Sequence, residues 1–99
     1  MAELVFLLSA DLDIQQAYEC YEECQAGRGA VFMRHLDAAF GHLRTFPEIG
    51  PLFHGRYRRL LVPRFPYDVF YTPESNRIVV AGVMHLRQNP EAILRRLGG

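Results

Sequence analysis

Apolar positions recur along this chain with two different spacings. Phe65-Pro66-Tyr67-Asp68-Val69-Phe70-Tyr71 is a β-branched and aromatic run of strand type. Thr72-Pro73-Glu74-Ser75-Asn76 is a polar turn, and Ile78 to His85 is a second strand, apolar on both faces and therefore central in a sheet. So short a connection makes the pair an antiparallel hairpin. Tyr57-Arg58-Arg59-Leu60-Leu61-Val62, stopped by Pro63, is a third strand, and Leu4 to Leu8 is a short apolar run read as a fourth.

Between them the spacing changes to three and four. Ser9 is placed as an N-cap, and a helix runs to Gln25 with Ile14, Ala17, Tyr18, Tyr21 and Cys24 inward and Glu19, Glu22 and Glu23 outward. Gly27-Arg28-Gly29 stops it. A second helix follows from Ala30 to Thr45, with Phe32, Leu36, Ala39, Phe40 and Leu43 on its inner stripe. The short link predicts an antiparallel αα-hairpin. Pro90 to Leu97 forms a last short helix, with Pro near its first position and Arg95 and Arg96 in its final turn. The expected fold is α+β: one domain over 1–99, in the order β-α-α-β-β-β-α, with the helical hairpin on one face of a four-stranded, mainly antiparallel sheet.

Composition adds a charge division. Residues 1–50 carry eight acids against three Arg, and residues 51–99 carry eight Arg against three acids. Every Lys/Arg residue is Arg. Two readings fit: an anionic partner for the second half, or acidic helices that neutralise a basic sheet. No apolar run approaches the ~20 residues that span a bilayer, and no basic segment leads into an apolar one, so a cytoplasmic protein without membrane attachment is expected. Cys20 and Cys24 stand one turn apart and lack the further ligands a metal site needs; they are read as partly buried free thiols.

The order of elements, with Phe46-Pro47-Glu48-Ile49-Gly50 after the second helix, Arg58-Arg59-Leu60 on the next strand, Phe65-Pro66-Tyr67 with Phe70-Tyr71, and Val83 to Pro90 at the end, resembles the RelE/ParE toxin superfamily of bacterial type II toxin–antitoxin modules. The resemblance spans nearly the whole chain. It implies a toxin held inactive by a cognate antitoxin, with no cofactor and no metal. It also implies one of two activities: RelE-like members are ribosome-dependent mRNA endonucleases, while ParE-like members, including plasmid-stabilization proteins, bind and block DNA gyrase.

A metal-free nuclease needs a base, an acid and cations around one phosphate. The candidates are Arg58, Arg59, Arg64, His85 and Arg87, with Tyr67 or Tyr71 stacking on a base. His85 is equally readable as a strand-end histidine bonded to backbone, and Arg58 or Arg59 as partners of Glu19, Glu22 or Glu23. Two positions depart from the RelE-like pattern. Asp68 stands where an Arg is expected, and Ala92–Ile93 where a Tyr is expected. The sequence is therefore read as ParE-like, a protein-binding gyrase inhibitor rather than an enzyme. Arg87, Arg95 and Arg96 are the candidate target contacts, and Arg56, Arg58 and Arg59 the candidate antitoxin contacts. The alternatives are a mRNA interferase acting on ribosome-bound message, and a family member that keeps the fold without toxicity.

Overall fold

The two helical stretches form α1 (Leu8–Cys24) and α2 (Arg28–Thr45) in a computed structural model that describes residues 2–98. Around them lie β1 (Glu3–Phe6), β2 (Leu52–His54), β3 (Tyr57–Leu61), β4 (Tyr67–Pro73), β5 (Arg77–His85) and α3 (Pro90–Arg96). The sheet has five strands in the order β1-β5-β4-β3-β2, so the expected four-stranded sheet gains β2. β1 runs parallel to β5 and every other pairing is antiparallel. β2 is a three-residue strand between Pro51 and Gly55, too short to show alternation.

The helical hairpin covers one face, as its spacing predicts. Phe32, Leu36 and Leu43 are buried with Val62, Val69, Ile78 and Val80. Tyr18 departs from the predicted stripe: it is 38% exposed. Its ring lies across Gly29, where an added Cβ would come within 2.9 Å of it, so Tyr18 fills the outer seam between α1 and α2. Cys20 and Cys24 are exposed, not partly buried. Glu22 turns inward and accepts hydrogen bonds from the Gly27 and Gly29 N–H groups, capping α2 in place of a side chain at Gly27 itself.

The opposite face is covered in part by α3, whose Ile93 packs with its C-cap residue Leu97 on Phe70, Ala81 and Met84. Asn89 caps α3, its Oδ1 accepting from the Glu91 N–H at 2.8 Å, and Pro90 occupies the first turn.

A bulge in β5 joins the two halves of the chain. The β4–β5 register passes from Phe70↔Gly82 to Tyr71↔Val80, leaving Ala81 as an extra residue just where β1 ends beside Val80. The freed backbone groups are taken by α1. Ser9 Oγ donates to the Ala81 carbonyl at 3.0 Å, and the Val83 N–H donates to Asp13 Oδ2 at 3.0 Å. Ser9 is thus not the helix cap; α1 begins at Leu8, after Leu7, without a side-chain cap. Asp13 also receives both terminal nitrogens of Arg96, at 2.8 and 3.3 Å, which ties α3 to α1 across Gly82. A Cβ at Gly82 would meet Met84 Cε at 2.8 Å and this ion pair at 3.2 Å.

Candidate functional site

Strand alternation decides which candidate side chains can meet. On β3, Leu60 faces the helices, so Arg59 and Leu61 face the other way, beside Phe70 and Asp68 of β4. His85 is paired with Tyr67 on the helical side, their rings edge to face at 5.1 Å. Arg59 and His85 therefore lie on opposite faces of the sheet.

His85 Nδ1 accepts the Arg87 N–H at 3.0 Å. Its ring opens onto a cleft of about 230 Å³ that Asp13, Cys20, Tyr67 and Gln88 also line. Burial raises the Tyr67 phenol above its usual range, with Tyr21 adding to the shift, so it stays protonated at neutral pH.

The arginines separate into engaged and open. Arg58 Nη1 donates to the Gly50 carbonyl at 2.8 Å and to the Glu48 carbonyl at 3.3 Å. It clamps the loop after α2 and pairs with none of Glu19, Glu22 or Glu23. Arg96 is held by Asp13. Arg56, Arg64, Arg87 and Arg95 are exposed. Arg64 has φ 68°, a left-handed turn residue between β3 and β4. Arg59 is half exposed; its guanidinium lies 5.0 Å from the Phe53 ring centre.

Beyond the edge of α3 the second face ends in a cavity of about 450 Å³ lined by Pro51, Arg59, Leu60, Leu61, Asp68 and Leu86. Asp68 is its polar floor. The Asp68 side chain is only 10% exposed, and Arg59 Nη1 lies 3.9 Å from Oδ2. That is an ion pair without a hydrogen bond. Burial raises the Asp68 carboxyl above its ordinary value, and Arg59 offsets this only in part. Leu61 and Leu86, both more than half exposed, carry the apolar walls and were not singled out by spacing. The signal for Leu61 was its alternation with Arg59.

The Asp68 shift has a pH consequence. Its folded-state pKa lies above the unfolded one, so between the two values the native chain binds more protons, and stability falls as pH rises through that window. Asp68→Asn removes a buried charge and a partly exposed ion pair of little worth. The variant is expected to melt higher than wild type at pH 7, with the gap closing on acidification toward pH ~4, where the unfolded carboxyl protonates. Calorimetric melts from pH 4 to 8 measure this. A variant that melts lower at pH 7 would show that Arg59 outweighs burial.

Among the described residues, no three His, Cys, Asp or Glu side chains gather as a metal site, and no helix is long and apolar enough to cross a membrane. No known protein family and no curated protein matches the chain by sequence. A solved structure does match: a chain titled "Chromosomal ParDE TA system from P. aeruginosa" superposes with a TM-score of 0.75 at 16% identity, over 86% of this chain and 96% of that one. The two share the fold over nearly all of both chains.

Proposed function

We propose that the chain is the toxin of a type II toxin–antitoxin pair, of the ParE-like kind, acting by binding DNA gyrase and neutralised by a cognate antitoxin. The fold likeness to the ParDE chain supports the toxin–antitoxin part of this reading. The observation that favours target binding over RNA cleavage is the division of the candidate catalytic groups between the two sheet faces. Arg59 lies on one face and His85 on the other, Arg58 is held by the Gly50 and Glu48 carbonyls, and Asp68 adds a negative charge beside Arg59, so of this set Arg87 is the cation that stands near His85. Transition-state stabilisation of a phosphoryl centre depends on the convergence of several such groups. Protein binding does not; it needs a few exposed arginine and apolar anchors.

Arg87 and Arg95, exposed at the end of the chain, are the proposed gyrase contacts; Arg96 serves mainly to hold α3 through Asp13. Arg56 and Arg59 remain open for acidic residues of an antitoxin, whereas the Arg58 guanidinium is taken up by the Glu48 and Gly50 carbonyls. The expected result is inhibition of gyrase supercoiling by the purified chain, weakened by Arg87→Ala and Arg95→Ala, with ribosome-bound mRNA left intact in a primer-extension scan. Codon-dependent cleavage lost in His85→Ala or Arg87→Ala would instead establish the interferase. Inactivity in both assays would leave a non-toxic member of the fold.

A further inference from the structure

Asp68 occupies an unfinished environment. A carboxylate has two oxygens and room for about four donors. Arg59 approaches one oxygen, at 3.9 Å, and its guanidinium lies at the Phe53 ring. Among the described residues no hydrogen bond reaches this carboxylate, yet no fully enclosed side-chain oxygen lacks a partner. The Asp68 oxygens must therefore open onto the cavity. Burial of the charge without donors is costly, and a donor-bearing cation is what would relieve it.

The walls narrow the choice of cation. Leu61, Leu86 and Pro51 offer apolar surface between the carboxylate and solvent. A metal ion would find one carboxylate and hydrocarbon there, far short of the six or more oxygens a hard cation takes. A side chain with an aliphatic stem and a cationic head matches both parts of the cavity. Guanidinium matches best, because its planar fork meets a carboxylate with two parallel hydrogen bonds.

We propose that this cavity is a docking pocket for a basic side chain, foremost arginine, carried by a protein partner, with Asp68 receiving the head group and Leu61 and Leu86 flanking the stem. Arg59 beside it remains available to an acid of the same partner, so the surface selects a segment of mixed charge rather than a uniformly acidic one. The pocket stands on its own geometry and does not depend on the gyrase reading.

The test titrates butylguanidinium into the wild-type chain and follows the methyl resonances of Leu61 and Leu86 by NMR. A saturable shift is expected at both. Butylurea, neutral and similar in shape, should bind at least about tenfold more weakly, as loss of a charged hydrogen-bonded pair predicts. Butyrate should leave these methyls unmoved. Asp68→Asn should bind butylguanidinium no better than butylurea. Equal affinity for the two probes in wild type overturns the proposal, whether or not the variant folds. So does a butylguanidinium shift that survives in folded Asp68→Asn. A butyrate response stronger than that to butylguanidinium would make Arg59 the anchor and also overturn it.

Discussion

Phe32→Ala is expected to destabilise the chain by about 3–5 kcal/mol and to lower its melting midpoint by more than about 10 °C. Phe32 has no exposed surface. Its ring sits 5.3 Å from Tyr21, 5.2 Å from Phe65 and 5.4 Å from Tyr67, so one side chain joins α1, α2, the β3–β4 connection and β4. The neighbours are themselves linked: Tyr21 meets Phe65 at 5.1 Å, and His35 meets Phe65 at 5.4 Å. Removing the central ring leaves a cavity that cannot close unless several rings tilt together, and such sites fall at the upper end of truncation costs. Phe40, whose ring partner is Phe6 at 5.1 Å, should cost less. Leu12→Ala, at an exposed position of α1, should change stability by no more than about 0.5 kcal/mol. Thermal melts by circular dichroism compare the three. A Phe32→Ala midpoint within a few degrees of wild type would contradict the packing described.

The second large effect is expected at Gly50. The loop after α2 crosses close over β3: a Cβ at Gly50 would lie 2.5 Å from the Arg59 carbonyl oxygen and 2.9 Å from Tyr71 Oη. Neither neighbour can give way. Arg59 belongs to the β3–β4 ladder, and Tyr71 is fully buried with its hydroxyl accepting the Gly50 N–H at 2.9 Å. Arg58 grips the Gly50 carbonyl, and the Arg59 N–H donates to the Pro51 carbonyl at 3.1 Å, so the loop cannot lift as a unit. Gly50→Ala should cost about 2–4 kcal/mol, the sum of overpacking and a lost buried hydrogen bond. Tyr71→Phe isolates the hydrogen bond and should cost only about 1 kcal/mol. Urea midpoints of the two variants test the difference; equal values would mean that the loop relaxes away from β3.

The helical hairpin and the three long strands were legible because Phe32, Leu36 and Leu43 recur at helical spacing and Ile78 to Met84 is continuously apolar. What escaped the sequence was set by contacts between distant segments. β2 was missed because three residues between Pro51 and Gly55 carry no period; their pairing with β3 makes them a strand. Ser9 has the chemistry of a cap, but a bulge in β5 claims its hydroxyl, and no local pattern announces a bulge. Tyr18 fits the inward stripe of α1 by number, yet Gly29 lets α2 approach so closely that the ring is turned outward. At the candidate site, the residue types were readable and their faces were not. Alternation separates Arg58 from Arg59, but only the register with β4 places Arg59 against Asp68 and leaves His85 on the far side.

The parallel pairing of β1 with β5 also constrains how the protein can be made. Ser9 and Asp13 bond to backbone groups seventy or more residues further along. At a synthesis rate of ~5–20 residues per second, the first strand and helix wait roughly 4–14 s for those partners. During that interval β1 has no strand to pair with, and the core beneath Phe32, Leu36 and Leu43 lacks Ile78, Val80 and Val83. The nascent chain thus presents a sticky, half-finished surface for seconds before its last strand arrives, and premature termination before residue 77 would yield a fragment that holds this surface open with no means of closing it.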